Sequence, residues 1–493
     1  MILVAFVLVS VLALVIIAVS RNHRQMNTVC ILQALIFCLL VVYLVVFQQV
    51  PVVSFLVGSQ YFFIDHFGLF EVFIATVIFT CAAVYARGYV EGLISSGELE
   101  KGSLKLFYSA WALLLLVIVL AFFSDNLALF WIFAELTTVI SAMLVAILSA
   151  RENIDAAIKY IFVASVSMLF AFVGFIFLFE VSRVSLGAGT LNWTVLMQHA
   201  AVFPPVMMIA SFALVFVGFA AKSGIFPFHT WLPDAHAKAP SAVSAILSGV
   251  LLNVGIYGII RVYAIVHQTT AVLTIAPMLA LFGILTIGIA ALSMLPQKNL
   301  KKLVAFSSVE NMGIMLVGLA ISTPVALFWV LFHILAHSLT KASLFFSSGI
   351  LHRQYRSRFS SDAADEIRDV FRLQPLAAWG IILGGLAIIG IPPFPIFYSE
   401  FFILLQLGTV SVWVLGVMLI LLFIAAVGLG YFVLTTFTQV SEPGTQSDIE
   451  PYRTPASMKV PVIFLLVLLL VVGIVLPSGG FEFLNQIVME LKF

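Results

Sequence analysis

Long apolar runs separated by short polar breaks follow one another from Met1 to Leu476. Most are about 18 to 25 residues long, which is what a helix rising 1.5 Å per residue needs to cross a bilayer. The pattern predicts about fourteen crossings, at 2–20, 28–50, 62–86, 107–123, 126–149, 156–181, 204–222, 240–263, 272–295, 302–321, 325–350, 375–407 (broken), 411–437 and 460–477. The first run has neither a positive flank nor a small-residue cleavage site, so it reads as a retained helix rather than a signal peptide. The longest polar stretch, Arg353 to Arg372, is too short to make a soluble domain. The expected fold is therefore all-α, a polytopic membrane protein forming a single transmembrane domain over 1–493.

Composition agrees: 63% of residues are hydrophobic and 9% charged, with mean hydropathy +1.20. The net charge of +1 gives no reason to expect nucleic acid, but the placement of basic residues sets an orientation. With both termini outside, 18 of the 23 Lys and Arg residues fall in inner loops, and only Arg183, Arg261 and Lys492 fall outside. Lys222 and Lys341 are left inside membrane segments. Cys30, Cys38 and Cys81 have no partner spacing and read as packing residues.

Two segments carry interruptions that lipid-facing helices avoid: Gly224 and Pro227 in KSGIFPFHTWLP, and Pro392, Pro393 and Pro395 in GIPPFPIFYSE. Backbone freed at membrane depth must face protein or a hydrated cavity, and paired breaks in two halves point to an ion site. The breaks fall in segments seven and twelve, five apart. Two five-helix repeats, 106–265 and 272–437, would then run in opposite orientations, flanked by helices in 1–105 and 440–493. The carboxylates fit this scheme, since Glu135 and Lys222 are 87 positions apart and Glu310 and Glu400 are 90.

An ionisable group at the bilayer centre costs about 2.5–3.5 kcal/mol even on the lenient insertion scale. Each such residue is therefore a functional hypothesis: Glu71, Glu135, Lys222, Glu310, Lys341 and Glu400, with His229, His333 and His337 nearby. Proton relay suits this mixture, because desolvation brings the proton affinities of lysines and carboxylates toward each other and an opposite charge resists the change. Pairing of Lys222 with Glu135 would keep both ionised, and separation would release the lysine's proton. The alternative is a static ion pair that fixes packing. In HILAHSLTKASLF, His333, His337 and Lys341 recur at four-residue steps on one helix face, a relay stripe. Two of these histidines suit zinc, but no third ligand is evident, so no metal is expected. Glu71 is an accessory relay group or a contact to a partner subunit, and Glu180, near an outer end, is expected in solvent. No nucleotide loop, CxxC pair or nucleophile elbow is present, so no cofactor is expected and redox chemistry would belong to other subunits.

AAKSGIFPFHTWLPDAHAKAPSAVSAIL at 220–247 closely resembles the signature of the antiporter-like, proton-translocating subunits of the respiratory complex I superfamily. The resemblance extends through FWIFAEL (130–136), KKLVAFSSVENMGIM (301–315), HSLTKASLFFSSGIL (337–351) and the PPFP to SEF segment (392–401). It implies fourteen helices, inverted five-helix repeats, broken helices seven and twelve, and a hydrated central axis. Its fifth-helix glutamate would be Glu135, its seventh-helix lysine Lys222 and its twelfth-helix charge Glu400. One position departs: where many members have an eighth-helix lysine, LLNVGIYG has Asn253, so the link between half-channels would pass through His229, His333, His337, Lys341 and water. NVGIYG and SSVENMG look most like hydrogenase-4 component F and its relatives in group 4 membrane-bound hydrogenases, and the chain ends after one further helix, without a long lateral one. The resemblance implies a prokaryotic inner-membrane location. Implied partners are other membrane subunits, further antiporter-like subunits among them, with a peripheral redox arm acting indirectly. Competing readings are an Mrp-type sodium/proton antiporter subunit, a membrane partner in inorganic-carbon uptake, and an inactive structural anchor.

Overall fold

A computed structural model describes residues 2–47, 50, 52–56, 59–148, 150–355, 367–438, 450–475 and 478–493. Arg356 and Arg358, counted above with the inner loops, lie outside the described residues. The apolar runs become helices: α1 (Ile2–Val19), α2 (His23–Phe47), α3 (His66–Ser95), α4 (Leu104–Phe122), α5 (Leu127–Val145), α6 (Arg151–Leu186), α7 (Pro205–Lys222), α8 (Ser241–His267), α9 (Val272–Met294), α10 (Leu300–Ala320) and α11 (Pro324–Tyr355). α12 is divided into Pro375–Ile388 and Pro395–Val410, and α13 (Val412–Phe437) and α14 (Ala456–Val475) follow. Among the described residues, thirteen of these helices are long and apolar enough to cross a membrane, and the halves of α12 are the shorter exceptions.

Helices α3 and α6 outrun their apolar cores because charged residues at their ends find partners. Arg24 of α2 reaches Glu91 of α3 at 3.0 Å, and Glu152 of α6 meets Lys238 at 2.8 Å. Together with the pairs Lys159–Asp234 and Arg353–Glu98, these contacts collect alternate helix ends on one face of the molecule. The opposite face is tied by Asn126 to Asn192 and by His66 to Glu490. Three basic residues assigned to loops are in fact buried in helices: Arg261, Lys301 and Arg353 are each 4% exposed. They are anchored to protein atoms and so carry less weight in the orientation count.

Among the described residues, a hairpin and a last helix have no counterpart in the apolar pattern. Val52–Leu56 (β1) and Ser59–Ile64 (β2) form an antiparallel hairpin before α3. A further helix, α15 (Ser478–Leu491), follows α14. It packs Phe481 against Phe328 and Trp329 of α11.

α8 is buried along its whole length, and α3, α10 and α11 are buried along most of theirs. α1, α6, α13 and α14 turn apolar side chains outward, as lipid requires. The polar residues therefore sit on the central helices.

The two breaks share one backbone construction. Gly224 and Gly390 both adopt φ of +68°, the left-handed conformation that ends a helix most easily at glycine. Ile225 N donates to Ala220 O at 2.9 Å and Ile391 N to Leu386 O at 3.1 Å, the five-residue closure of a Schellman turn. A Cβ at either glycine would also collide, with the Leu232 side chain at 224 and with the Glu400 carboxylate at 390. Freed backbone groups find protein partners: Trp231 Nε1 donates to Ala221 O at 2.9 Å, and Phe226 N donates to Thr286 Oγ1 at 3.1 Å. Past the first break the chain makes the short helix Leu232–Lys238 before α8.

Candidate functional site: a chain of buried charge

The site begins on α5, whose first turn Asn126 caps by accepting from Ala128 N and Leu129 N. Glu135, in the middle of α5, accepts a hydrogen bond from Ser165 of α6, and its second oxygen has no protein partner. Lys222 ends α7 at the break, is 2% exposed, and donates to Thr138 Oγ1 at 2.7 Å. Thr138 lies one helical turn beyond Glu135. Lys222 thus bonds the Thr138 hydroxyl and not Glu135, whose charge still bears on it. Each of the two side chains has a hydroxyl as its hydrogen-bond partner, Ser165 for Glu135 and Thr138 for Lys222.

Close packing carries this half to the centre. Gly255 of α8 lies against Ser223 and Phe219, where a Cβ would not fit, and Ser223 Oγ donates to Leu252 O at 3.3 Å. The next residue is Asn253. Its amide donates to Glu71 Oε2 of α3 at 3.1 Å and to Ser338 Oγ of α11 at 3.0 Å. Glu71 is 1% exposed and faces the interior, which removes the suggestion that it contacts a partner subunit.

On α11, His333, His337 and Lys341 are all fully buried. Lys341 Nζ donates to Val304 O at 2.8 Å and to Ser307 Oγ, both of α10. His333 is held between Asn311 Oδ1 at 3.0 Å and Ser399 Oγ at 2.8 Å. Asn311 spends its amide on Ser307 O at 2.7 Å, so its oxygen faces the ring and His333 Nε2 carries the hydrogen. Both nitrogens of His337 lack a protein partner. Glu310 of α10 lies between Lys341 and Glu400, within range of both charges. The Glu400 carboxylate rests against Gly390 at the second break. Lys222 therefore precedes its break by two residues, whereas Glu400 follows its own by ten.

His229 stands apart from this group. It is partly exposed on the turn Phe228–Trp231, its ring against Phe226 at 6.0 Å. His236, seven residues on in the same motif, occupies the inner position: it is fully buried, stacks on Phe345 at 5.1 Å, and feels the charges of Lys341 and Lys301. Sequence reading passed over it because a histidine beside Asp234 and Lys238 resembles a solvated turn. Only the packing of Leu232–Lys238 beneath α10 and α11 shows otherwise. Beyond Lys301 a polar cavity of about 470 Å³, lined by Tyr89, Glu98, Glu152, Lys238, Lys301 and His352, opens at the face that bears the Arg24, Lys159 and Arg353 pairs. Glu180, as expected, is accessible, and it pairs with Arg183 at 2.6 Å.

A membrane bundle with two broken helices and a file of buried acids, lysines and histidines defines an ion-translocating subunit class. Residues 124–427, more than half of the chain, match the family model described as NADH:quinone oxidoreductase/Mrp antiporter, transmembrane, and the chain belongs to that family. It is 31% identical over 437 residues to a hydrogenase-4 component F homolog of Methylacidiphilum infernorum, a match covering 88% of this chain and 89% of that one. Its fold is that of a chain in the membrane-bound sulfane sulfur reductase, an archaeal respiratory membrane complex (TM-score 0.86, 20% identity, 99% of this chain and 96% of that one). A chain of the Mrp complex from Dietzia is similar at TM-score 0.82 and 20% identity, over 99% and 97% of the two chains.

Proposed function

We propose that this chain moves protons across a prokaryotic inner membrane as the antiporter-like subunit of a respiratory or hydrogenase complex, driven by redox chemistry in partner subunits. The observation that carries this reading is the file of ionisable groups running from the partly buried Glu135 to buried Lys222, past Asn253, to buried Glu71, Lys341 and Glu310 and the partly buried Glu400. Static packing does not call for so many ionisable groups in an apolar bundle. The inner cavity at Lys301 supplies an entrance, with His236 between Lys301 and Lys341. Protons would load from that face, and Glu135 and Glu400 would be the ends of the file.

The face with the basic pairs is the cytoplasmic one on this reading, with both described chain ends on the other. The inverted repeat, 106–265 against 272–437, is supported by the matching Gly-Ile turns at 224–225 and 390–391. Partners are further membrane subunits, other antiporter-like chains among them, with a redox arm acting at a distance.

Substituting Lys222→Ala or Lys341→Ala in the assembled complex should abolish proton uptake by membrane vesicles while assembly persists. Unchanged proton-to-electron stoichiometry in both variants would refute the reading. The Mrp-type alternative is favoured by the Dietzia structure and predicts uptake that depends on sodium without redox turnover.

A further inference from the structure

We propose that Glu71 of α3 is the proton-carrying group at the centre of the file, supplying from a neighbouring helix the charge that α8 lacks at Asn253. The proposal rests on the proton-translocating reading above and gives one residue of the file a specific role.

The geometry is built for contact among three helices. Leu247–Leu251 of α8 forms a wide π turn just before Asn253, a feature common at functional sites. Gly249 within it would carry a Cβ 2.8 Å from Ile78 of α3 and 3.1 Å from the Ser338 carbonyl of α11. Glycine here lets α3, α8 and α11 close on one another. Into that junction Asn253 aims its amide, bonding Glu71 Oε2 on one side and the Ser338 hydroxyl on the other. An amide has no proton to release at working pH, so it can orient but not carry. Glu71 can carry: Oε2 is occupied by the amide, and Oε1 is buried with no protein partner. The step is one proton gained on that carboxyl and the same proton released.

The surroundings dictate where the proton goes. Toward the face of His66 and Glu490 stand groups already engaged with one another. Tyr257, the titratable neighbour on α8, donates to Phe122 O at 2.7 Å and accepts from Arg261 Nη2 at 2.6 Å, and Arg261 is paired with Asp65 at 2.7 Å. Sideways, the junction adjoins both halves of the file. Ser223, next to Lys222, touches Leu252, and Ser338 lies three residues from Lys341 on α11, about one helical turn. Glu71 thus sits between the two buried lysines, where a transferable charge is needed.

The test uses the assembled complex in inverted membrane vesicles, following internal acidification per redox turnover. Glu71→Gln keeps the shape and the Asn253 contact and should lose proton translocation while remaining assembled. Glu71→Gln/Asn253→Lys returns a charge to α8 and should recover it. Translocation at the parental rate in Glu71→Gln, or a double variant as inactive as the single, overturns the proposal. If Glu71→Gln fails to assemble, Glu71→Asp decides, since a shifted pH profile of translocation supports the carrier role and an unchanged profile overturns it. Lys222→Ala runs alongside. If it translocates normally, the proton-translocating reading itself fails, whereas an inactive Lys222→Ala beside a normal Glu71→Gln removes only the role of Glu71.

Discussion

The pair Arg261–Asp65 offers the sharpest energetic test of the fold. Asp65 is fully buried, caps α3 by accepting from Gly68 N at 2.8 Å, and meets Arg261 Nη1 at 2.7 Å. The guanidinium is caged by Trp193, Tyr257 and Phe67, with ring centroids 4.3, 4.7 and 5.2 Å from its central carbon. Arg261→Met keeps apolar bulk in that cage but strands a buried carboxylate with one backbone donor. Removing one partner of a buried pair costs about 3–5 kcal/mol, about two to three and a half orders of magnitude in the folding equilibrium. Loss of the ring contacts adds about 0.5–2 kcal/mol. Asp65→Asn retains the cap acceptor and strands the cation instead. Because Asp65→Asn/Arg261→Met leaves no unpaired charge, it should be more stable than Arg261→Met alone by about 2 kcal/mol or more. Denaturant titration of the purified protein in mixed micelles measures all four corners of the cycle. Additive losses, or single losses under about 1 kcal/mol as at a surface pair, would refute the account.

Other substitutions test the remaining geometry. Gly390→Ala should destabilise by more than the roughly 1–2 kcal/mol of left-handed strain, because its Cβ strikes the Glu400 carboxylate, whereas Gly187→Ala, equally left-handed but facing open space, should cost the strain alone in the same titration. Thr138→Val removes the acceptor of Lys222 and should slow vesicle acidification, with Thr138→Ser restoring it; equal rates in the two would show that the hydroxyl is not used. His236→Phe preserves the stack on Phe345 and should leave assembly intact while lowering proton uptake; lost assembly with normal uptake per assembled complex would make His236 a packing residue.

Much of this architecture was legible in the chain because lipid allows few backbone solutions. Every apolar run marked a helix, and the glycine and proline clusters at 224–227 and 390–395 marked both breaks. Lys222, Lys341 and the histidines of α11 were legible as costly residues in apolar surroundings. What escaped depends on neighbours distant in sequence. Arg261 read as a loop charge, since two walls of its cage, Phe67 and Trp193, come from segments far from it in sequence. Asn253 read as a gap in the file, since nothing local shows that its amide points at a carboxylate 182 residues away. The hairpin at Val52–Ile64 and the amphipathic α15 lay outside the search for spans because neither is a long apolar run.

The π turn in α8 also bears on how such a helix tolerates insertions and deletions. A wide turn accommodates one residue beyond the α-helical count, and one residue rotates everything after it by about 100°. The stretch before it is registered on α3, where Tyr89 Oη donates to Ser241 Oγ at 3.4 Å. The stretch after it presents Asn253, Tyr257 and Arg261 on one face toward α3. α8 therefore keeps two angular settings in a single rod, and deletion of a residue from Leu247–Leu251 would leave one setting intact while turning the other out of alignment. A vernier of this kind lets the two halves of a channel drift apart in sequence while each remains in register with its own surroundings.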